Sequence, residues 1–107
     1  AFRNKFAVTY KANPDVYAMQ GYDAAQMLAA GLKAVNGAAK KRDALIAAMK
    51  KAQIDSPRGR VSIDARTGNV VQNVYITEVV KKADGGMAHK VLKTYEQVRD
   101  PGQGCAL

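Results

Sequence analysis

Asn13-Pro14-Asp15-Val16-Tyr17-Ala18-Met19-Gln20-Gly21-Tyr22-Asp23-Ala24-Ala25-Gln26-Met27-Leu28-Ala29-Ala30-Gly31-Leu32-Lys33-Ala34-Val35-Asn36-Gly37 is the stretch on which the rest of this chain depends, and it reads as one long helix. Asn13 is a natural N-cap, because its side-chain oxygen accepts from an orphan backbone N–H of the first turn. Pro14 suits the first helical position, where its missing donor costs nothing. Asp15 sets negative charge against the positive end of the helix dipole, and Asn36-Gly37 supplies a left-handed stop. A helix of this length spans about 35 Å at 1.5 Å per residue.

Tyr17, Gly21, Ala24, Ala25, Leu28, Leu32 and Val35 recur at helical spacing and form one face. Gly21, Ala24 and Ala25 carry almost no side chain, so another backbone has room to approach there. Ala18, Tyr22 and Ala29 widen the apolar region, which leaves Gln20, Asp23, Gln26 and Lys33 as a narrow polar stripe. A helix this apolar is wedged between neighbours rather than laid on a surface. Asp23 interrupts it, and the uncharged stretch from Ala24 to Leu32 is too short for a membrane span. The helix therefore needs a large partner surface.

The chain's 107 residues suffice for one domain, although a chain of this size leaves much of its surface wet. Its net charge of +8 invites nucleic acid or another anionic partner. It begins at Ala1 without Met and without an apolar signal-type segment, as a processed or excised chain would. Cys105 is the single cysteine, and an odd cysteine in an exported protein suggests a partner elsewhere.

Ahead of the long helix, Phe2, Phe6 and Tyr10 repeat at i, i+4 and i+8 and predict a helix with no cap before it. After Gly37 a basic link, Ala38-Ala39-Lys40-Lys41-Arg42, leads to Asp43, which caps a third helix reaching about Gln53. Leu45, Ile46 and Met49 form its narrow apolar stripe, and Lys50 and Lys51 suit its C-terminus. Ser56-Pro57 and Gly59 end helical structure. Arg60 to Asp64 alternates as a strand does, Thr67-Gly68-Asn69 is a turn, and the β-branched run Val70 to Val80 is a long strand. Ala83-Asp84-Gly85-Gly86 is a second turn, and Met87 to Val98 a further strand or extended arm. Val70 to Val80 is expected to pair antiparallel with Val61-Ser62-Ile63 or with Met87 to Leu92. Residues 1–53 thus form a helical part, 58–98 a strand part and 99–107 a tail.

Little in the chain carries chemistry. His89 has no cysteine or acidic pair at ligand spacing, so neither a metal nor a cofactor is expected. Ser56, Ser62 and Cys105 lack a nucleophile signature, and the glycines at 85, 86, 102 and 104 lack the strand–loop–helix setting of a phosphate cradle. An enzyme is not expected. The basic residues Lys40, Lys41, Arg42, Lys50, Lys51, Arg58, Arg60, Lys81, Lys82, Lys90 and Lys93 are a candidate electrostatic footprint for phosphate. They are scattered over links and turns with no interleaved aromatics for stacking.

Tyr17-Ala18-x-x-Gly21-Tyr22-Asp23-Ala24 in a helix, Asp43-Ala44-Leu45 opening another, Ser56-x-x-Gly59, and a strand–turn–strand through Gly68 resemble a known region. They are similar, in order and spacing, to the C-terminal part of type I periplasmic solute-binding proteins of the leucine/isoleucine/valine-binding family of ABC importers. The strand from Asn73 to Val80, running into Glu78-Val79-Val80-Lys81, fits the same pattern, and the resemblance covers roughly Phe2 to Lys93. One departure is large. Members are several times longer, with two α/β lobes joined by crossing strands, so the implied fold class is α/β: a C-terminal fragment of a two-lobe (Venus-flytrap) fold, about three helices followed by a β-hairpin or meander.

The resemblance implies an extracytoplasmic component, periplasmic with its signal peptide removed, that binds without catalysis and closes over a small amino acid or related carboxylate. Ligand-binding positions carried over by the motif are Tyr17 and Ala18, with Gln20 beside them; the small Ala18 hints at room for a bulky or aromatic ligand. Implied partners are the small-molecule ligand, an ABC permease in the membrane and the remainder of a parent protein. The exposed apolar area favours self-association of the fragment alone. Nucleic acid is not expected on this reading. The strand hairpin would serve hinge geometry, and Cys105 would pair with a cysteine in the missing portion, as an oxidising compartment permits. The alternative is a small basic nucleic-acid-binding or assembly module.

Overall fold

The computed structural model describes residues 1–102 and 104; the Cys105 pairing lies outside the described residues. Among the described residues three helices precede four strands: α1 (Phe2–Tyr10), α2 (Val16–Ala34), α3 (Arg42–Lys51), β1 (Gln53–Ser56), β2 (Gly59–Ile63), β3 (Val70–Lys81) and β4 (Met87–Val98). The strands form an antiparallel meander in the order β1-β2-β3-β4. Three helices followed by a meander is the architecture expected of the chain.

α2 starts later than its sequence suggests. The N-cap is Asp15, not Asn13: its carboxylate accepts from the Ala18 N–H at 2.8 Å, so Asn13 and Pro14 lie outside the helix. Asp15 wins because its charged oxygen meets the helix dipole directly. The stop is where it was expected, with Asn36 and Gly37 both at positive φ and the Gly37 N–H donating back to the Leu32 carbonyl at 2.8 Å. At 19 residues the helix is about 28 Å long.

The buried side of α2 is also not the one its apolar pattern indicates. Asp23, Met27 and Gly31 are buried, roughly 100° around the helix from the Tyr17–Leu28 face. Gly21, Ala24 and Ala25 are exposed, and Leu28 is 44% exposed. The close-approach glycine is Gly31 rather than Gly21. A Cβ on Gly31 would stand 2.4 Å from Met49 Cγ of α3, whereas one on Gly21 would meet nothing within 4 Å.

α3 runs Arg42–Lys51 without a side-chain cap, and Asp43 sits in its first turn. Ile46 is exposed, so only Leu45 and Met49 of the expected stripe turn inward. Gln53, expected at the end of this helix, instead opens β1, a short strand that alternates exposed and buried residues. The alternation fits the pleat, with Ile54 and Ser56 facing in. β1 pairs with β2 from Gln53↔Ser62 to Ser56↔Gly59.

β3 takes both partners that the sequence offered as alternatives. Its first two residues pair with β2, as Ser62↔Val71 and Ile63↔Val70, and the rest pairs with β4. The β2–β3 turn is held by Asp64, whose Oδ1 accepts from the N–H groups of Arg66 (2.8 Å) and Thr67 (3.3 Å). The β3–β4 turn closes with the Lys82 N–H on the Gly86 carbonyl at 2.7 Å, with Gly85 at φ 81°.

The core is small: Met27, Ile54 and Val61, with Met49, Ala52 and Ile63 packed against them. Beyond Asn73 the β3–β4 hairpin projects as an arm whose Val74, Ile76, Val79, Val91, Leu92 and Tyr95 are all at least 40% exposed. The radius of gyration is 16.9 Å, against about 13 Å for a compact domain of this length.

Candidate functional site

A cavity of about 460 Å³ opens between α2 and the inner face of the sheet, the largest part of its wall being Met27, Met49, Ile54, Val61, Ile63 and Val70. Its polar corner is Asp23, Arg58 and Gln72, with Gln20 at the rim. This arrangement follows from the elements: α2 packs against α3 and β1, α3 packs against β2, and the β1–β2 turn brings Arg58 to Asp23.

The polar corner is a connected network. Arg58 Nε donates to Asp23 Oδ2 at 2.9 Å, and Ser56 Oγ donates to the same oxygen at 2.8 Å. Arg58 Nη1 donates to Gln72 Oε1. The Arg58 N–H donates to Ser56 Oγ at 3.2 Å. Asp23 belongs to the narrow polar stripe of α2, yet its side chain is only 6% exposed. Burying a carboxylate is costly unless it is paired and hydrogen-bonded, and the guanidinium and hydroxyl meet that cost. The signal lies 33 to 35 residues away in Ser56 and Arg58, beyond the reach of helical periodicity. Asp23 Oδ1 and Gln26 Nε2 are buried without hydrogen-bond partners among the described residues.

The three expected ligand residues are not brought together around this cavity. Gln20 lines it. Tyr17 stands in the first turn of α2 at 76% exposure, and Ala18 is half-buried with its N–H on Asp15. Tyr22 stacks on Phe2 at 4.7 Å between ring centroids and extends the Phe2–Phe6–Tyr10 ladder of α1. Among the described residues no group of three or more His, Cys, Asp or Glu side chains is placed to hold a metal ion, and no helix is long and apolar enough to cross a membrane.

A second network clasps the base of the arm. Register shifts interrupt β3–β4 between Gln72 and Val74 and between Ile76 and Thr77. At the first, Gln97 takes a left-handed φ of 48°. Its N–H donates to Asn73 Oδ1 at 3.0 Å and its side-chain amide to the Arg60 carbonyl at 3.1 Å. Tyr75 OH donates to the Arg58 carbonyl at 2.5 Å.

A helix pair beside an antiparallel meander, with a long projecting hairpin, is the arrangement found in part of the solute-binding proteins of ABC transporters. The chain belongs to the periplasmic binding protein family, whose sequence profile matches residues 1–86. It is 37% identical over 83 residues to Leu/Ile/Val-binding protein homolog 6 of Brucella abortus, covering 76% of this chain and 20% of that one. A solute-binding protein of an ABC transporter from R. palustris, solved in complex with benzoate, superposes with a TM-score of 0.81 at 43% identity. That match covers 99% of this chain and 28% of the relative. Another, from Rhodopseudomonas palustris BisB5 in complex with 3,4-dihydroxybenzoic acid, gives 0.86 at 37% identity over 95% of this chain and 28% of that one. The chain thus spans about a fifth of the length of the curated relatives it matches.

Proposed function

We propose that this chain is the C-terminal portion of a periplasmic solute-binding protein that captures small carboxylates, aromatic ones foremost and branched-chain amino acids next, for an ABC permease. The observation that carries the reading is the 43% identity, over nearly the whole chain, to a protein crystallised with benzoate. The function is binding without catalysis, and closure of two lobes would use ligand contacts available only in the closed state. Tyr17 and Ala18, in the first turn of α2 and outside the cavity under that helix, contribute a pocket wall near the interface between the lobes of the parent, with Gln20 beside them. The exposed Tyr17–Gly21–Ala24–Leu28 face and the bare arm are surfaces that the remainder of the parent covers. Three features support this: the small core, the exposed apolar arm and the fraction of the relatives that the chain spans.

The test is calorimetric titration of the intact parent protein with benzoate, 4-hydroxybenzoate, leucine, isoleucine and valine. Saturable binding of an aromatic carboxylate or a branched-chain amino acid is the expected result. Failure of every compound to bind, together with salt-sensitive retention on immobilised DNA, would overturn the proposal in favour of a basic nucleic-acid-binding module.

A further inference from the structure

Arg58 is bonded to three elements at once. Its Nε reaches Asp23 on α2, its Nη1 reaches Gln72 on β3, its N–H meets Ser56 on β1, and its carbonyl receives Tyr75 OH from the start of the arm. Among the described residues no hydrogen bond runs directly from α2 to β3, and the cavity separates Gln20, Asp23 and Ala24 on one side from Val70 and Gln72 on the other. The Arg58 side chain, 19% exposed, closes that gap at its polar end.

From this we infer that Arg58 is a positioning residue: its guanidinium sets the placement of the N-terminal half of α2 against β3 and the arm, and its backbone carries the same link to Tyr75. The chemistry favours arginine specifically. The planar guanidinium presents donors in fixed directions, so Nε and Nη1 address two acceptors on two elements simultaneously. A lysine ammonium would satisfy Asp23 as a point charge and leave Gln72 unheld. The consequence for the ligand wall at Tyr17, Ala18 and Gln20 rests on the proposed function; the linkage itself does not.

The experiment is a triple-mutant cycle on the intact chain, read without any solute so that its outcome is independent of the binding proposal. Asp23→Asn and Gln72→Leu are combined in the wild-type, Arg58→Lys and Arg58→Met backgrounds, and unfolding equilibria and amide hydrogen exchange are measured. In the wild type Asp23 and Gln72, which share no hydrogen bond with each other, should be coupled by at least about threefold in the unfolding equilibrium. The coupling should vanish with Met or Lys at position 58. Amides of residues 20–27 and 70–76 should exchange roughly tenfold faster in Arg58→Met while those of α3 keep their rates. A simple loss of stability would speed all three segments together. Coupling that is absent in the wild type, that persists in Arg58→Met, or that Arg58→Lys fully preserves would overturn the inference. Arg58→Lys retains the charge beside Asp23, so the question stays answerable if Arg58→Met does not fold.

Discussion

Asp23, on the narrow polar stripe of α2, and Arg58, in the β1–β2 turn 35 residues later, are joined by a 2.9 Å ion pair in a sheltered corner. Removing one partner of such a pair leaves the other charge without its counter-ion. Asp23→Leu should therefore destabilise the chain by about 3 kcal/mol, the low end for a buried pair because Arg58 keeps some contact with water. Urea unfolding measures it. The Asp23→Leu/Arg58→Met double variant should recover part of that loss, because it removes the stranded charge as well.

Gly31 and Gly21 should respond in opposite ways. Gly31→Val drives side-chain atoms into Met49 and Leu45, with the first clash already at 2.4 Å, and should cost about 2–3 kcal/mol through overpacking. Gly21→Ala adds a methyl where nothing lies within 4 Å, and should stabilise this 107-residue chain by up to about 1 kcal/mol through helix propensity. In a full parent protein the sign should reverse, because another backbone is then expected against that face. Thermal midpoints of Gly21→Ala in both contexts give the comparison, and an equal gain in both would mean that the face stays bare.

Asp64 gives acid sensitivity. The N–H groups of Arg66 and Thr67, and then the Arg99 guanidinium at 3.0 Å, hold its carboxyl below the ordinary value of 3.8. A lowered folded value means the contribution is complete above about pH 4 and is lost as pH falls through that lowered value. Asp64→Asn should flatten the decline of stability between neutral pH and pH 2, read as thermal midpoints across that range. Asp84, lowered chiefly by the Gly86 N–H with Lys82 adding to it, contributes in the same direction.

Tyr17 should separate binding from stability. At 76% exposure it holds little of this fold together, so Tyr17→Ala should leave the unfolding free energy within about 0.5 kcal/mol of wild type. If its ring walls the pocket, aromatic-carboxylate affinity of the parent should fall by roughly three- to tenfold, the worth of one aromatic contact. Titration of wild type and variant side by side decides it. Unchanged affinity would remove Tyr17 from the site.

Local patterns determined most of the element list. The Phe2–Phe6–Tyr10 repeat, the Asn36-Gly37 stop, the β-branched run from Val70 and the two turn sequences each encode their structure within a few residues, because hydrogen bonds and φ preferences act at that range. The family signature around Tyr17–Ala24 was equally legible, since it is a matter of order and spacing. Tertiary structure alone decided which side of α2 is buried. Apolar periodicity indicates a face able to pack but not which partner is present to pack on it, and here α3 and the sheet reach only the Asp23–Met27–Gly31 side. It also decided that Asp23 goes inside, since a buried carboxylate depends on Ser56 and Arg58 arriving from a distant turn. The same holds for β1, where four residues after a helix take strand form because β2 lies alongside to complete their hydrogen bonds.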